Sequence, residues 1–233
     1  EGIFSITPAN ATVTANSHVI RQGFPAPALT STFSGFVNGE NQSVVTSLSH
    51  TISPAYSGAP GVYQIIPQAT ALNYLFAPVN GNLYVNPVGS GTKNVKISLV
   101  CVEQVPPDEN GFGWIANFRY LNENNTPVYA PFGVDNRVTG PGLFSTAGQP
   151  ALFMPGTGEW AVRFNGVSIT WTVRSYNKWT KTSSSASANS SSVQCVKSAF
   201  VNDESDKSEQ AEPELSVYPN PANEKIYINT GGD

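Results

Sequence analysis

Charge is scarce in this 233-residue chain: Asp, Glu, Lys and Arg together make up 12% of it, against roughly a quarter in an ordinary globular protein. The remaining polar surface must come from Ser, Thr, Asn and Gln, which suit strands and turns better than solvent-facing helices. Lys and Arg number 12, form no dense cluster and are outweighed by 16 acids, which argues against a nucleic-acid or anionic-membrane surface. Long apolar runs are missing as well. Pro, Asn or Gly interrupts each stretch within about ten residues, so no transmembrane segment is expected. The chain begins with Glu1 rather than Met and has no charged n-region ahead of an apolar run, so it reads as lacking a signal peptide and as a piece of something longer. Cysteine is limited to Cys101 and Cys195, too few for a four-cysteine zinc site. The pair reads either as one long-range disulfide or as two buried thiols, and the low charge with abundant Ser, Thr and Asn favours the disulfide and an oxidising compartment.

What is present is 20 Gly, 18 Pro and 39% hydrophobic residues, enough for a packed core built from short elements. In residues 9–90, Ala11 to Ala15, Leu29 to Phe33, Val44 to Ile52 and Val62 to Ile66 are predicted strands rich in Val, Thr, Ile and Tyr. Gly35, Asn38-Gly39, Ser57-Gly58 and Asn80-Gly81 tolerate positive φ and are predicted turns between them. The spacing is that of a β-sandwich. Gly2-Ile3-Phe4-Ser5-Ile6-Thr7-Pro8 echoes Gly81-Asn82-Leu83-Tyr84-Val85-Asn86-Pro87, so residues 1–8 are expected to end a preceding repeat.

Residues 93–197 have a different texture. Val95, Ile97, Leu99 and Cys101 alternate, as do Trp114, Ala116, Phe118 and Tyr120, then Trp160, Val162 and Phe164, then Val167, Ile169, Trp171 and Val173. Each set predicts one inward sheet face, with Asn165-Gly166 as a hairpin signal between the last two. A Cys101–Cys195 bridge would staple the two ends of this second β-sandwich. The Ser-rich run 180–192 is either a strand edge or a loop. Residues 198–214 read as an acidic linker, and 215–233 return to strand chemistry.

Two stretches resemble known families, and the middle block, with FRYLNENNTPVYAPFGVDN and FNGVSITWTV, resembles a less defined group. ATVTAN, STFSGFVNGE and GNLYVNP in the first block resemble the mostly-β, glycine-rich MBG domain of bacterial surface and secreted proteins, with Arg21-Gln22-Gly23 in place of that family's aromatic-Gly turn. The resemblance implies an Ig-like β-sandwich used in tandem as a spacer or adhesive module, with no catalytic residues. Val217-Tyr218-Pro219-Asn220-Pro221-Ala222, followed by Lys225-Ile226-Tyr227-Ile228, resembles the opening of the type A C-terminal sorting domain of the type IX secretion system. It implies export to the outer-membrane surface or beyond, with the secretion machinery as partner of a full-length tail and Tyr218, Pro219, Asn220 and Pro221 as the sorting motif. The family's glycine- and lysine-containing end is absent, so a truncated tail is expected. The middle block resembles domains that often precede such signals, to which no activity attaches.

Catalytic chemistry is weakly represented. His18 and His50 are the only histidines, have no ligand-spaced partners and read as solvent-facing strand residues. No Gly-x-Ser-x-Gly elbow occurs, and the Gly-rich runs lack the Lys and following helix of a phosphate cradle. Asp108, Glu109, Glu123, Asp135 and Glu159 would suffice for a glycosidase pair, but Asp108-Glu109-Asn110 and Asn122-Glu123-Asn124-Asn125 read as solvated turn tips. No catalytic residue, metal or cofactor is expected. Among the aromatics, Trp114, Trp160 and Trp171 read as core, whereas Trp179, Tyr129 and Phe132 could stack on sugar rings. The sequence therefore predicts a monomeric, all-β chain of tandem Ig-like β-sandwiches, a non-enzymatic spacer or adhesion module. The alternative is a carbohydrate-binding accessory to an upstream enzyme, with surface glycans or matrix as partner.

Overall fold

The computed structural model describes residues 7–196 and the backbone of two short strands beyond them. Those residues contain no α-helix, only a 3-10 turn at Gln42–Val44 among strands, so the fold is all-β. The chain divides into two compact units, Glu1–Cys195 and Val196–Asp233.

The first strands are β1 (Ala9–Ala15), β2 (His18–Arg21), β3 (Ser31–Ser34), β4 (Ser47–Ser53), β5 (Gly61–Thr70), β6 (Tyr74–Val79) and β7 (Gly81–Asn86). They form two sheets, β3-β1-β6 and β2-β7-β5-β4. Only Asn16 and Ser17 separate β1 from β2, and only Asn80 separates β6 from β7. β1 pairs with β6 and β2 with β7, both in parallel, so two extended segments lie side by side and change sheets together. The crossing is tight. A Cβ on Gly81 would lie 2.6 Å from the Ala15 carbonyl oxygen, and the Asn82 N–H donates to Ser17 Oγ at 2.9 Å. Asn80-Gly81 is therefore not the positive-φ turn expected from the sequence: Gly81 has an ordinary φ and is required for its missing side chain.

Period-two alternation supplies the core between these sheets, with Ala11, Val13 and Ala15 of β1, Tyr63 and Ile65 of β5, and Leu83 and Val85 of β7 buried. The strand expected from Val44 begins only at Ser47. Asn41 Oδ1 accepts from Ser43 N–H and caps the 3-10 turn Gln42–Val44, which takes up the first residue of the expected strand.

The next strands are β8 (Lys96–Gln104), β9 (Trp114–Asn122), β10 (Val128–Tyr129), β11 (Asn136–Thr139), β12 (Leu152–Phe153), β13 (Gly156–Phe164), β14 (Ile169–Asn177) and β15 (Thr180–Ala188). Sheets β13-β9-β8 and β11-β14-β15, with the pair β10-β12, enclose Trp171, Phe118, Phe153 and Phe164, all fully buried. Trp160 packs edge-on to Trp171 with ring centroids 5.0 Å apart.

Three local expectations change here, and for the Ser-rich run the strand-edge alternative holds. The β8 alternation holds to Leu99, then a bulge before Cys101 shifts the register and Val102 becomes the buried residue. Asn165-Gly166 is not a hairpin, because β13 and β14 lie in different sheets and the segment is an arch between them. The Ser-rich run is largely strand β15, paired along its whole length with β14, including the hydroxyl pairs Thr170–Ser187 and Thr172–Ser185. The supposed turn tip at 122–125 is partly core: Asn122 and Asn124 are buried, and Asn122 Nδ2 donates to the carbonyls of Thr126 and Phe153.

Hydroxyls link the edges of the two larger sheets of this block. Val95 N–H donates to Ser175 Oγ and Ile97 N–H to Ser184 Oγ, each at 2.8 Å. Further along, Val102 N–H donates to the Val193 carbonyl and Cys195 N–H to the Val102 carbonyl, which lays the segment before the disulfide beside β8. Cys101 and Cys195 are joined, with their Cα atoms 4.9 Å apart. The exposed edge of β8 is thereby occupied by this chain itself.

In the second unit, β16 (Ser216–Val217) and β17 (Ile228–Asn229) form an antiparallel pair, Val217 opposite Ile228. Of the expected repeat end at 1–8, residues 1–6 lie outside the described residues, as do the linker 198–214 and the motif Tyr218, Pro219, Asn220 and Pro221.

Candidate functional site

The most distinctive surface lies where the β7 end of the first block meets the second block. Asn86, at the end of β7, is buried although polar, because its side chain pairs with the backbone of one residue on β10. Its Oδ1 accepts from Tyr129 N–H at 2.7 Å, and its Nδ2 donates to the Tyr129 carbonyl at 2.8 Å. The Asn amide thus completes what a neighbouring strand would otherwise supply. Directly beside it the Tyr84 and Tyr129 rings stack, centroids 3.8 Å apart and 7° from parallel. Burial raises the Tyr129 phenol above its ordinary value, with Tyr84 adding to the shift.

The connecting residues 87–92 are held on their other side by the β14–β15 hairpin. Lys178 N–H donates to the Thr92 carbonyl at 2.8 Å, and Gly89 N–H donates to the Lys178 carbonyl at 3.1 Å. Asn177 pairs with Thr180, so Lys178 and Trp179 form the whole two-residue turn. Lys178 takes φ +55°, a conformation that Gly or Asn adopts more cheaply. Trp179 is 70% exposed, its ring tip 4.0 Å from where a Gly89 Cβ would sit.

Two open clefts flank this connection, of about 370 and 410 Å³. The first is lined by Lys93, Lys96, Lys178, Glu123, Asn94 and Asn177 among others. Glu123 receives Lys96 Nζ at 2.9 Å and Lys93 Nζ at 3.4 Å. The Lys96 hydrogen bond in particular holds its carboxyl below the usual carboxylate range. Three ammoniums against one carboxylate leave this cleft positive in a chain whose net charge is −4.

The three aromatics that sequence reasoning offered for stacking are not brought together as one platform. Trp179 stands on the hairpin tip, one face of Tyr129 is covered by Tyr84, and Phe132, 61% exposed, lines a separate cleft with Arg137 and Gln149. Four of the five carboxylates weighed as a glycosidase pair are committed to ion pairs with different partners, Arg163 with Asp108, Arg119 with Glu159, Lys181 with Asp135, and the two lysines with Glu123. Among the described residues no three His, Cys, Asp or Glu side chains converge as metal ligands. His50 Nε2 lies 2.8 Å from Ser31 Oγ, linking β4 to β3, and His18 Nε2 is buried without a partner, so neither histidine simply faces solvent. No carboxylate orients the His50 ring, and the Ser31 contact reads as a latch between sheet edges.

Asn86 and Lys178 were missed by sequence reasoning. Asn86 lies inside the GNLYVNP stretch but its partner is 43 residues away, and Lys178 carries no turn signature.

The fold of the described residues is that of an all-β module. Residues 11–84, about a third of the chain, match the family model of the MBG domain (YGX type), a domain of bacterial surface proteins. No curated protein and no solved structure matches the chain.

Proposed function

We propose that the chain is a non-enzymatic portion of an exported bacterial protein, serving as a spacer or adhesive module that holds other parts of that protein away from the cell. The match of residues 11–84 to the MBG domain carries this reading, since that module is non-catalytic. In it, an MBG-type sandwich over 9–90 is followed by a second sandwich over 93–197, fastened through Asn86 and Tyr129. The Cys101–Cys195 disulfide fits an extracellular setting. The similarity of Val217–Ala222 to the type IX sorting domain supports export to the surface, with the secretion machinery as partner of the complete tail.

The test is turnover. Purified chain incubated with glycoside, ester and peptide substrates is expected to release no product above buffer. Product formation that is lost on Glu123→Gln or Glu159→Gln substitution would overturn the reading. A second reading, a carbohydrate-binding accessory to an upstream enzyme, is favoured by the exposed Trp179 on its docked hairpin.

A further inference from the structure

Lys178 and Trp179 are both poor choices for the turn they make. A two-residue hairpin is built most cheaply from Asn-Gly, because the first position needs φ above zero and the tip faces water. Here that position holds Lys at φ +55°, and the next holds an indole that is 70% exposed. Neither residue is needed to pack the core, and the tip is held to the connection by backbone hydrogen bonds to Gly89 and Thr92. A strained, exposed and yet anchored pair is the pattern expected where a local rule is broken for binding.

The surroundings specify the ligand chemistry. An indole face takes the flat C–H side of a pyranose ring. Asn94 and Asn177, which line the adjoining cleft, are donors and acceptors suited to sugar hydroxyls. Lys93 and Lys96 share the single carboxylate of Glu123, and Lys178 has no ion-pair partner among the described residues. The cleft therefore has positive charge left over in a chain that is negative overall.

We infer that this cleft and the hairpin tip beside it bind an anionic polysaccharide, with Trp179, which stands next to Lys178 outside the cleft lining, stacked on one sugar ring and Lys178, Lys93 and Lys96 taking the carboxylate or sulfate groups of its neighbours. A nucleic acid would also offer rings and anions, but its phosphates recur at every nucleotide and call for a basic track that three lysines and a glutamate do not provide. The inference rests on the carbohydrate-binding reading above and names its ligand class: laminarin bound in preference to both anionic glycans would keep that reading and sink this one, and turnover by the chain would sink only the spacer reading.

The test is a tryptophan-fluorescence titration of the whole chain with polygalacturonate, heparin, neutral laminarin and oligo(dT). Trp160 and Trp171 are buried and Trp114 is half-buried against the core, so the part of the signal that is lost in Trp179→Ala reports Trp179. The expected result is saturable binding of polygalacturonate or heparin, the preferred one identifying carboxylate or sulfate as the anion, with weaker binding of laminarin and oligo(dT). Calorimetric titration should then show affinity falling about tenfold in Trp179→Ala. Lys178→Gly separates binding from folding, because glycine relieves the φ strain: its melting temperature should not fall while its affinity drops several-fold. No binding of either anionic glycan, equal or tighter binding of laminarin or oligo(dT), or unchanged affinity in both variants would overturn the inference.

Discussion

Gly81 and Gly58 show how the same residue can be fixed by different physics. Gly58 has φ +91° and nothing within 4 Å of a would-be Cβ, whereas Gly81 has ordinary φ and faces the Ala15 carbonyl at 2.6 Å. Gly58→Ala is expected to cost about 1 kcal/mol through backbone strain alone. Gly81→Ala must push β7 away from the switch point and is expected to cost more than about 2 kcal/mol. Urea denaturation of the two variants side by side checks the order. Glu123 gives a pH-dependent counterpart. Its folded-state pKa lies below the unfolded one, so its contribution is complete above the ordinary carboxylate range and is lost as pH falls through the lower, folded value. Melting temperature should therefore fall less steeply between about pH 5 and pH 3 in Glu123→Gln than in the wild-type chain.

Elements were legible where their inner face was large and apolar. Trp160, Val162 and Phe164 announced β13, and Ile169, Trp171 and Val173 announced β14, because each side chain buries on a two-residue period. β15 was obscured because no large apolar residue marks it. It is held as a strand by its ladder to β14 and by hydroxyl pairs, which depend on a partner rather than on its own pattern. β6 was hidden for a related reason: Pro78 interrupts it, yet it is an edge strand, where proline is tolerated. The hydroxyls that link the sheet edges yield a prediction at this scale. Ser175→Ala leaves the buried Val95 N–H without its acceptor and should cost about 1 to 3 kcal/mol by equilibrium unfolding. Ser185→Ala, at an exposed hydroxyl pair on the same hairpin, should cost less than about 1 kcal/mol.

At the scale of the molecule, the sequence reading separated two β-blocks by their texture but carried no sign of how they meet. The junction rests on one amide, Asn86, reaching a backbone 43 residues away, on two tyrosine rings whose contact no local pattern encodes, and on the Gly89–Lys178 backbone hydrogen bond. For the same reason the candidate site was half legible. The flanking Lys178 and Thr180 marked Trp179 as exposed, while the cleft beside it arises only when 89–96, 123 and 177–178 are folded together. The proposed spacer role requires the two blocks to hold together, and Asn86 supplies both side-chain hydrogen bonds to Tyr129 at their junction. The most direct test is scanning calorimetry of the oxidised whole chain, wild type against Asn86→Ala. The account predicts that residues 1–195 of the wild type unfold in one transition, and that Asn86→Ala splits it into two. Two separate transitions already in the wild type, or an Asn86→Ala profile that stays single and unshifted, would contradict it.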